Sequence, residues 1–468
     1  MNAFAEIVLA ARAGSPHALA VADTRRSLTH AELVAAARAE ARSIHRQAGR
    51  GSPLVAVCLP LSVDSVVSLV AAILGDHSVS FLDPTAAADR RDAVLAVLGP
   101  DVIVDAEGMR RSATPGGAAD RITDPGYVAR SSGSTGGAPK GVLASWSSLA
   151  AFVRCGAEAL ELDRDGRWAE LSHPAYDMAM TNLLLALAAG AELHLSGALG
   201  DQLRPLRFVD RVAATHVRLA PRFIELAAAE RRPPSAALAL RVWGSGGDRL
   251  QAAHAEQAFA FGVPAVINTY GTSETVGFAS VARLTAAGPV PSVQGSAPIG
   301  RGRVGEWTTG LVESGTATML SIRSPHLPRG YLFGAVADYP RWHHADTVLT
   351  GDIGIAVAGD LFCLGRAGRR VKRNGSFVEL DEIDVALRGA RSVPSFTVAT
   401  LSGDLLSLVE ADERQIDGLR KELASSLRPE VVPDEVIAVA RLPRLANGKV
   451  DQSAASALAE SLLARKEG

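Results

Sequence analysis

Apolar positions in the first third of the chain fall into short runs that alternate with longer segments of helical periodicity. The runs LVAVCLP, SVSFLDP and DVIVDA each end in turn residues. Ahead of one helical apolar stripe stand Thr29 and Glu32, which are spaced as the two residues of a helix capping box. Short buried strands that alternate with helices are typical of βαβ units, so the pattern predicts a mostly parallel sheet.

The same alternation returns after a polar break at residues 106–126. It predicts strands at AELHL, THVRLAP, LRVWGSG and PAVINTYG, with helices near 182–190 and at RFIELAAAE. A Gly/Pro-rich break then introduces a β-rich stretch, and the character changes again near residue 366. We therefore predict an α/β protein whose large N-terminal domain, residues 1–365, has layered mixed sheets, flanking helices and a β-rich part. Residues 366–468 are expected to form a small α+β domain.

Composition narrows the possible functions. A chain of 468 residues with 47% hydrophobic content is typical of a folded protein with more than one core. The net charge of -2 gives no support for binding to nucleic acid or to an anionic membrane. The chain start lacks the features of a signal peptide, and the apolar runs are too short to span a bilayer. Three scattered cysteines suit a reducing compartment, so we expect a soluble cytoplasmic protein.

The segment SSGSTGGAPKGV, residues 131–142, combines glycines, hydroxyl side chains and one lysine. Glycines let backbone N–H groups turn toward an anion, and hydroxyls and a lysine add donors and charge, so the composition suits phosphate. The spacing is not that of a P-loop, because Pro139 precedes Lys140 and Gly141 follows it. A flexible Gly/Ser-rich surface linker is the alternative.

Four further segments clarify the role of this loop. They are NTYGTSE (268–274), LTGD (349–352), GRAGRRVKRNGSFVELDEID (365–384) and LPRLANGKVD (442–451). The order and spacing of the five segments resemble those of the adenylate-forming enzymes, which include acyl-CoA synthetases, nonribosomal-peptide adenylation domains and beetle luciferases. The resemblance runs from about Ser27 to Asp451. It implies ATP-dependent activation of a carboxylic acid as acyl-AMP, release of pyrophosphate, and transfer of the acyl group to a thiol.

The resemblance implies that the Ser/Thr/Gly loop closes over the β- and γ-phosphates of ATP. The residues at the matching positions are Ser132, Ser134, Thr135 and Lys140. The loop departs from the family pattern by one extra residue between Gly136 and the Pro–Lys pair. This insertion affects the expected geometry of the loop more than its ability to bind phosphate.

The other segments imply the rest of the nucleotide site. Tyr270 matches the aromatic residue that stacks on adenine, and Glu274 matches the acid that holds Mg²⁺, a cation that prefers oxygen ligands. Asp352 matches the carboxylate that accepts from both ribose hydroxyls. Arg366 matches a residue near the ribose and the domain junction, where a structural ion pair is the alternative. Outside this context Glu274 would be read as a solvated loop residue and Asp352 as a turn residue.

The small domain is implied to be mobile and to carry the catalytic lysine. Lys449 matches the lysine that reaches the reacting carboxylate and the α-phosphate, where a cation lowers the barrier between two anions. A solvated C-terminal charge is the alternative for Lys449. In the family the small domain swings between two poses about a hinge residue, and Gly368 occupies that position here. Glycine permits the required change in φ and ψ but holds neither pose firmly.

The segment SHPAYDMAMTNLLLALAAGAELHL resembles the family segment in which an aspartate pairs with the α-ammonium of an amino acid. Asp177 occupies that place. Alternatively, Asp177 only caps the helix, since an aspartate directly before a helical run is a good N-cap. The resemblance favours an amino-acid substrate.

Arg218 is the unusual residue of the implied pocket. The other positions carried over from the family are Met178, Thr181, Gly244, Gly246, Thr269, Gly277 and Phe278. Arg218 lies in an apolar strand, and a buried guanidinium needs an anionic partner whose geometry its planar fork can match. Similar adenylation domains that select aspartate carry a lysine here and a threonine at the position of Thr181. We therefore predict a dicarboxylic amino acid, aspartate or a close analogue; an internal salt bridge is the alternative.

The acceptor of the acyl group is expected to be separate, because no Ser-bearing carrier segment follows NGKVD. A freestanding carrier protein with a phosphopantetheine thiol is favoured, and CoA or an amine is the alternative. Two other functions stay open: an acyl- or aryl-CoA ligase, and a degenerate, non-catalytic adenylate-binding protein. The presence of Glu274, Asp352 and Lys449 argues against the degenerate protein.

Overall fold

The computed structural model describes most of residues 1–467. The residues outside this description are 50, 87, 117–118, 132–139, 231–237, 315–316, 329, 334–341, 345, 367–368, 374–375, 392, 401–403, 428–430, 446–447 and 468. In the part of the chain that is described, no helix combines the length and the apolar character needed to cross a membrane.

A mixed sheet with a parallel centre dominates the first part of the chain. Residues 1–145 form α1 (Ala3–Ala11), β1 (Leu19–Ala22), β2 (Ser27–Thr29), α2 (His30–Ala48), β3 (Leu54–Cys58), α3 (Val63–Gly75), β4 (Ser78–Phe81), α4 (Ala88–Leu98), β5 (Val102–Asp105), β6 (Gly108–Arg111), β7 (Gly126–Ser131) and β8 (Lys140–Ser145). The capping box of Thr29 and Glu32 is confirmed at the start of α2. Every residue of β3 is buried, as expected for a central parallel strand. The strand β6 lies inside the predicted polar break, because an exposed edge strand needs no apolar alternation.

A second mixed sheet follows. Residues 146–285 form α5 (Trp146–Ala159), β9 (Arg167–Glu170), α6 (Asp177–Ala189), β10 (Glu192–Leu195), α7 (Leu199–Gln202), α8 (Pro205–Arg211), β11 (His216–Leu219), α9 (Arg222–Ala228), β12 (Val242–Ser245), α10 (Ala252–Ala260), β13 (Ala265–Tyr270) and β14 (Ser280–Thr285). Its strand order within the described residues is β14-β13-β12-β11-β9-β10-β1-β2, parallel except at the two ends. The helix α6 begins earlier than the predicted 182–190, because Asp177, Thr181 and Asn182 interrupt the apolar pattern of its first two turns.

The β-rich part that the sequence predicts after the second break is an antiparallel sheet. Residues 298–366 form β15 (Pro298–Gly300), β16 (Arg303–Val304), β17 (Trp307–Ser314), β18 (Ala317–Arg323), β19 (Tyr331–Phe333), β20 (Trp342–His344), β21 (Thr347–Val357) and β22 (Asp360–Arg366). The strand β19 leaves this sheet and pairs with β8 instead. It therefore joins the β-rich part to the edge of the first sheet, giving the described order β19-β8-β7-β4-β3-β5-β6.

The last part of the chain has its own hydrophobic clusters. Residues 370–467 form β23 (Arg370–Arg373), β24 (Ser376–Glu379), α11 (Leu380–Arg391), β25 (Ser395–Ala399), β26 (Leu405–Glu410), α12 (Glu413–Ile416), α13 (Leu419–Ser426), β27 (Glu435–Val439) and α14 (Gln452–Glu467). Two apolar clusters here draw their members from residues 371–463 alone. The division into domains 1–365 and 366–468 stays a prediction.

Packing between the two large sheets brings the second sheet's strand ends toward the start of α6. The largest apolar cluster contains side chains from α1, α2, α3, α5 and α6 and from both sheets. A second cluster covers the opposite face of the second sheet and includes Val217 and Leu219, so Arg218 points toward α6. The carboxyl ends of β9, β11, β12 and β13 lie at one edge, where ligands bind in sheets of this kind. The α/β fold with layered mixed sheets is thus confirmed.

Candidate active site

Some of the predicted site residues cannot be placed. Ser132, Ser134, Thr135 and Gly368 lie outside the described residues. The backbone of Lys140 begins β8, where it pairs with Ser131. The backbone of Arg366 ends β22, where it pairs with Asp352. The roles assigned to these six residues in phosphate binding, ribose binding and the hinge therefore stay predictions.

Tyr270 and Asp352, the two residues implied to hold adenosine, lie side by side. Tyr270 ends β13 and Asp352 belongs to β21, and both are buried. The Tyr270 hydroxyl donates to Asp352 Oδ2 at 2.8 Å and lies 3.0 Å from the Thr350 hydroxyl. Burial and the neighbouring carboxylate raise the pKa of Tyr270 well above its usual value, so the hydroxyl stays a donor. The arrangement places an aromatic ring next to an acceptor for hydroxyl groups.

Glu274, the implied magnesium ligand, is a buried carboxylate in the short 3-10 turn that follows β13. Its Oε1 accepts from the Tyr331 hydroxyl at 2.7 Å. Tyr331 pairs with Val142 in β8, so Glu274 lies close to the strand that leaves the Ser/Thr/Gly loop. No group of three or more His, Cys, Asp or Glu side chains suited to a metal occurs in the described parts of the chain. A hard cation bound at Glu274 would therefore take further oxygen ligands from phosphate.

Asp177 occupies the first turn of α6 but does not cap the helix. The N-cap residue is Tyr176, and no side chain makes a capping hydrogen bond there. Asp177 Oδ1 instead accepts from the Tyr127 hydroxyl at 3.2 Å, and Oδ2 accepts from the Ser273 hydroxyl. The alternative in which Asp177 serves only as an N-cap is therefore wrong. Its carboxylate is held by two hydroxyl donors that come from distant parts of the chain.

The electrostatics of Asp177 reflect its position inside the site. Burial raises the pKa of Asp177 to about 6, and the charge of Glu274 adds to the increase. The two hydroxyl hydrogen bonds and the charge of Lys449 lower the pKa of this carboxyl in part. The charge of Lys449 thus acts on the carboxyl group of Asp177. Asp177 is therefore mainly ionised at neutral pH, with no cation hydrogen-bonded to it in the described structure.

Arg218 is buried and is held by neutral groups. Its Nε donates to Thr269 Oγ1 at 3.0 Å, and its Nη1 donates to Thr181 Oγ1 at 3.1 Å and to Asn182 Oδ1 at 2.9 Å. The guanidinium carbon lies 4.8 Å from the centre of the Phe278 ring. Within the described residues, Arg218 forms no ion pair and its Nη2 has no hydrogen-bond partner. The internal salt bridge is therefore absent from the described structure.

Glycines make room for Arg218 on the neighbouring strand. A Cβ atom at Gly244 would lie 2.9 Å from Arg218 Cβ, and one at Gly246 would lie 2.3 Å from Thr269 Oγ1 and 3.6 Å from Arg218 Nη2. Gly244 thus leaves room for the stem of the Arg218 side chain, and Gly246 leaves room for Thr269 and the end of the guanidinium. Nη2, the nitrogen without a described partner, lies beside Gly246.

The remaining pocket positions lie around the same space. A Cβ atom at Gly247 would lie 3.6 Å from Met178 Sδ, which places Met178 beside the loop after β12. A Cβ atom at Gly277 would lie 2.4 Å from the Phe152 ring, so Gly277 permits close packing there. Phe152 and Phe278 meet edge to face at 5.0 Å. The structure thus brings Thr181, Thr269, Gly244, Gly246 and Phe278 together around Arg218.

Four residues of the site were not predicted: Tyr127, Ser273, Asn182 and Glu170. Glu170 ends β9 and is fully buried; burial raises its pKa, and the hydrogen bonds that its carboxyl accepts oppose this increase. Asn182 Nδ2 donates to Glu170 Oε2 at 2.7 Å and to the backbone oxygen of Arg218 at 2.9 Å. A single amide inside the apolar run of α6 was the available signal for Asn182. Tyr127 carries no comparable signal in the sequence, and Ser273 lies in the NTYGTSE segment without a role of its own assigned there.

Fold and site together define an adenylate-forming enzyme, and the comparisons with known proteins agree. Residues 9–332 match the family described as AMP-binding enzyme. The chain therefore belongs to the AMP-binding enzyme family, whose members use ATP to activate carboxylic acids as acyl-adenylates. The prediction of an adenylate-forming ligase is confirmed.

The relatives include large peptide synthetases. The "Probable non-canonical nonribosomal peptide synthetase (NRPS) CymA" of Salinispora arenicola (strain CNS-205) is 29% identical over 95% of this chain, which spans 6% of that protein. The isonitrile lipopeptide synthase of Streptomyces coeruleorubidus is 28% identical over 96% of this chain, which spans 33% of that protein. This chain is thus similar to a minor part of each relative.

Solved structures share the fold. The anthranilate CoA ligase AuaEII in complex with anthranoyl-AMP superposes with a TM-score of 0.84 at 16% identity, covering 99% of this chain and 100% of that one. ATP-bound MatB from Rhodopseudomonas palustris gives 0.81 at 20% identity, covering 98% and 99%. The four-domain nonribosomal peptide synthetase AB3403, bound to AMP and glycine, gives 0.79 at 20% identity, covering 97% of this chain and 36% of that one. At these identities the likeness shows the fold.

Proposed function

We propose that this enzyme activates an amino acid with a second carboxylate, such as aspartate, and transfers the acyl group to the phosphopantetheine thiol of a separate carrier protein. The observation that carries the proposal is the buried Arg218, whose described contacts are all neutral and whose Nη2 lies beside Gly246. A buried cation whose direct contacts are all neutral is costly, and a substrate carboxylate at its free nitrogen would compensate it.

The second charge of the pocket supports an amino acid. Asp177 is held by the Tyr127 and Ser273 hydroxyls, which stabilise a carboxylate without neutralising it. A substrate α-ammonium would supply the missing positive charge. With the ammonium at Asp177 and the distal carboxylate at Arg218, the remaining carboxylate would face the α-phosphate.

The nucleotide site would bind ATP and Mg²⁺ next to the amino acid. Tyr270 would stack on adenine and Asp352 would accept from the ribose hydroxyls, as their adjacency allows. Glu274 would hold Mg²⁺, which would neutralise charge on the phosphate oxygens when bound. An oxygen of the substrate carboxylate would attack the α-phosphorus, forming acyl-AMP while pyrophosphate leaves with the electron pair of the broken P–O bond.

Lys449 would act at the reacting atoms. Two anions approach each other in this step, so a cation placed between them stabilises the transition state. The influence of Lys449 on the pKa of Asp177 supports this placement. The lysine would belong to a small mobile domain of residues 366–468, with Gly368 as its hinge.

An acyl- or aryl-CoA ligase is the second candidate, since CoA ligases share the fold at high TM-scores. The buried, charged pocket argues against an apolar acid, because Asp177 and Arg218 would both lack a counter-charge with such a substrate.

Pyrophosphate exchange with the purified wild-type protein tests the proposal. Aspartate, asparagine, succinate and benzoate are compared at equal concentrations, each with ATP and Mg²⁺. Exchange should be fastest with aspartate. Preference for benzoate would favour the CoA ligase, and no exchange with any acid of a wide panel would favour a non-catalytic protein. Formation of a thioester on a carrier protein or on CoA then identifies the acceptor.

A further inference from the structure

Glu170 and Arg218 stand on neighbouring parallel strands, yet they do not touch. The register pairs Val217 with Ala169, so Arg218 and Glu170 follow one position later on each strand. Side chains in such positions point to the same face of the sheet, where opposite charges attract each other. Here no ion pair forms, and Asn182 from α6 lies between them.

The Asn182 amide is fixed at both ends. Its Oδ1 accepts from Arg218 Nη1, and its Nδ2 donates both to Glu170 Oε2 and to the Arg218 backbone oxygen. Rotating the amide would set N–H groups against the guanidinium and an oxygen against the carboxylate. The two charges thus impose one orientation on Asn182.

Glu170 occupies a position that only a carboxylate satisfies. One oxygen accepts from Asn182 Nδ2 and, at 3.3 Å, from the Trp168 indole N–H. The other accepts from the backbone N–H groups of Leu171 and Ser172 at 3.2 and 2.8 Å. A glutamine would set its amide N–H groups against these donors. All four hydrogen-bond partners of Glu170 are donors, which accounts for a carboxylate at this position.

The consequence is an arginine that is oriented but not neutralised. Nε and both hydrogens of Nη1 are occupied by Thr269, Thr181 and Asn182. The two N–H groups of Nη2 stay available in the described structure, beside Gly246. A direct carboxylate on the fork would compete with an anionic ligand, whereas a carboxylate one side chain away supports the positive charge and leaves Nη2 accessible.

We propose that Asn182 and Glu170 are positioning residues that determine specificity, by holding Arg218 charged and aimed at the distal carboxylate of the substrate. We call the three hydrogen-bonded side chains of Glu170, Asn182 and Arg218 the relay. This inference rests on the proposed function, because it assigns the relay to the recognition of that second carboxylate.

Moving the negative charge from position 170 to position 182 tests the proposed role of the relay. The double variant Asn182→Asp/Glu170→Gln carries the carboxylate directly against Arg218 Nη1 and an amide behind it. Side-chain size and net charge are unchanged. The measured quantity is the ratio of kcat/KM for aspartate to kcat/KM for asparagine, which is insensitive to a fraction of unfolded enzyme. The relay predicts a ratio about tenfold or more below that of wild type.

A second variant covers the case in which the double variant does not fold. Asn182→Ser shortens the side chain and breaks the link to Glu170 while leaving a hydroxyl near Nη1. It should lower the same ratio, mainly through the KM for aspartate. A ratio within twofold of wild type in either folded variant, when wild type does prefer aspartate, would overturn the relay alone. A wild-type enzyme that does not prefer aspartate to asparagine would refute the proposed substrate, and the relay with it.

Discussion

The two ends of the pocket hold opposite charges by different means. At one end, the Asp177 carboxylate accepts from two hydroxyls, which come from β7 and from the turn after β13. At the other, Arg218 is held by three neutral acceptors and has a carboxylate, Glu170, one side chain away. The acid end is therefore hydrogen-bonded by hydroxyl groups and is influenced by the charge of Lys449, whereas the basic end is linked to a carboxylate through one amide.

This difference sets how each end responds to pH. Burial raises the pKa of Asp177 to about 6 and lowers the pKa of Arg218 to about 9, and Glu170 opposes the second change. Both groups are ionised between these two values, so the pocket carries separated opposite charges at neutral pH. A ligand with an ammonium group for Asp177 and a carboxylate for Arg218 compensates both charges. An acid without these two groups cannot do so.

The largest expected effect concerns Lys449, whose charge acts on the Asp177 end. Lys449→Ala should lower the rate of adenylation by about 10²–10³-fold, because the interaction is made mainly in the transition state. ATP affinity should change little. Single-turnover release of pyrophosphate measures the rate, and calorimetry measures ATP binding.

The exposed Lys421 of α13 supplies the control for this experiment. Lys421→Ala removes the same charge from an exposed position outside the proposed site and should leave the rate unchanged. Pyrophosphate release at the wild-type rate in Lys449→Ala would remove Lys449 from the catalytic machinery.

The second-largest expected effect is a change in substrate preference caused by Arg218→Leu. Loss of the cation leaves the distal carboxylate of aspartate unpaired, at a cost of about 2–5 kcal/mol, while asparagine should lose much less. The kcat/KM ratio of the two substrates measures the change. Arg207→Leu, at an exposed position of α8, is the matched control. An unchanged ratio in Arg218→Leu would make Arg218 a purely structural residue.

The sequence predicted the two charged residues of the pocket but not the partners that hold Asp177. Asp177 and Arg218 stand out as charges in apolar segments, and their family positions gave them roles. Their partners come from elsewhere: Tyr127 is 50 residues and Ser273 is 96 residues from Asp177 along the chain. Only the packing of both sheets against α6 brings these hydroxyls together, and no local pattern encodes that packing.

The fold shows the same division. The alternation of apolar runs predicted the strands of the parallel centre, since each run is buried on both faces, as in β3. It did not predict the start of α6, where the first two turns carry the pocket residues Asp177 and Thr181. Polar pocket residues interrupt the apolar pattern there, so this pattern is least regular where the site lies.

The third prediction concerns the ionisation of Asp177, which should change substrate use near pH 6. Because the pKa of Asp177 is raised to about 6, the carboxylate that pairs with the ammonium is lost as pH falls through that value. The kcat/KM for asparagine should therefore fall about tenfold per pH unit well below 6. Succinamate, which lacks the ammonium, should not show this decrease, and Asp177→Asn should remove the pH dependence for asparagine. Parallel profiles for the two substrates would contradict the pairing.

The smallest predicted effect isolates one hydroxyl at the acid end. Tyr127→Phe removes the donor 3.2 Å from Asp177 Oδ1 and leaves the buried ring in place. A hydrogen bond of this kind contributes about 0.5–1.5 kcal/mol, so kcat/KM for asparagine at neutral pH should fall by a few-fold. Because the hydroxyl stabilises the ionised carboxyl, its loss should also raise the pKa of Asp177 and move the acidic midpoint upward. Succinamate again serves as the control, since the variant should process it at the wild-type rate. A loss shared equally by both substrates would mean that Tyr127 supports the fold of the pocket and not the charge of Asp177.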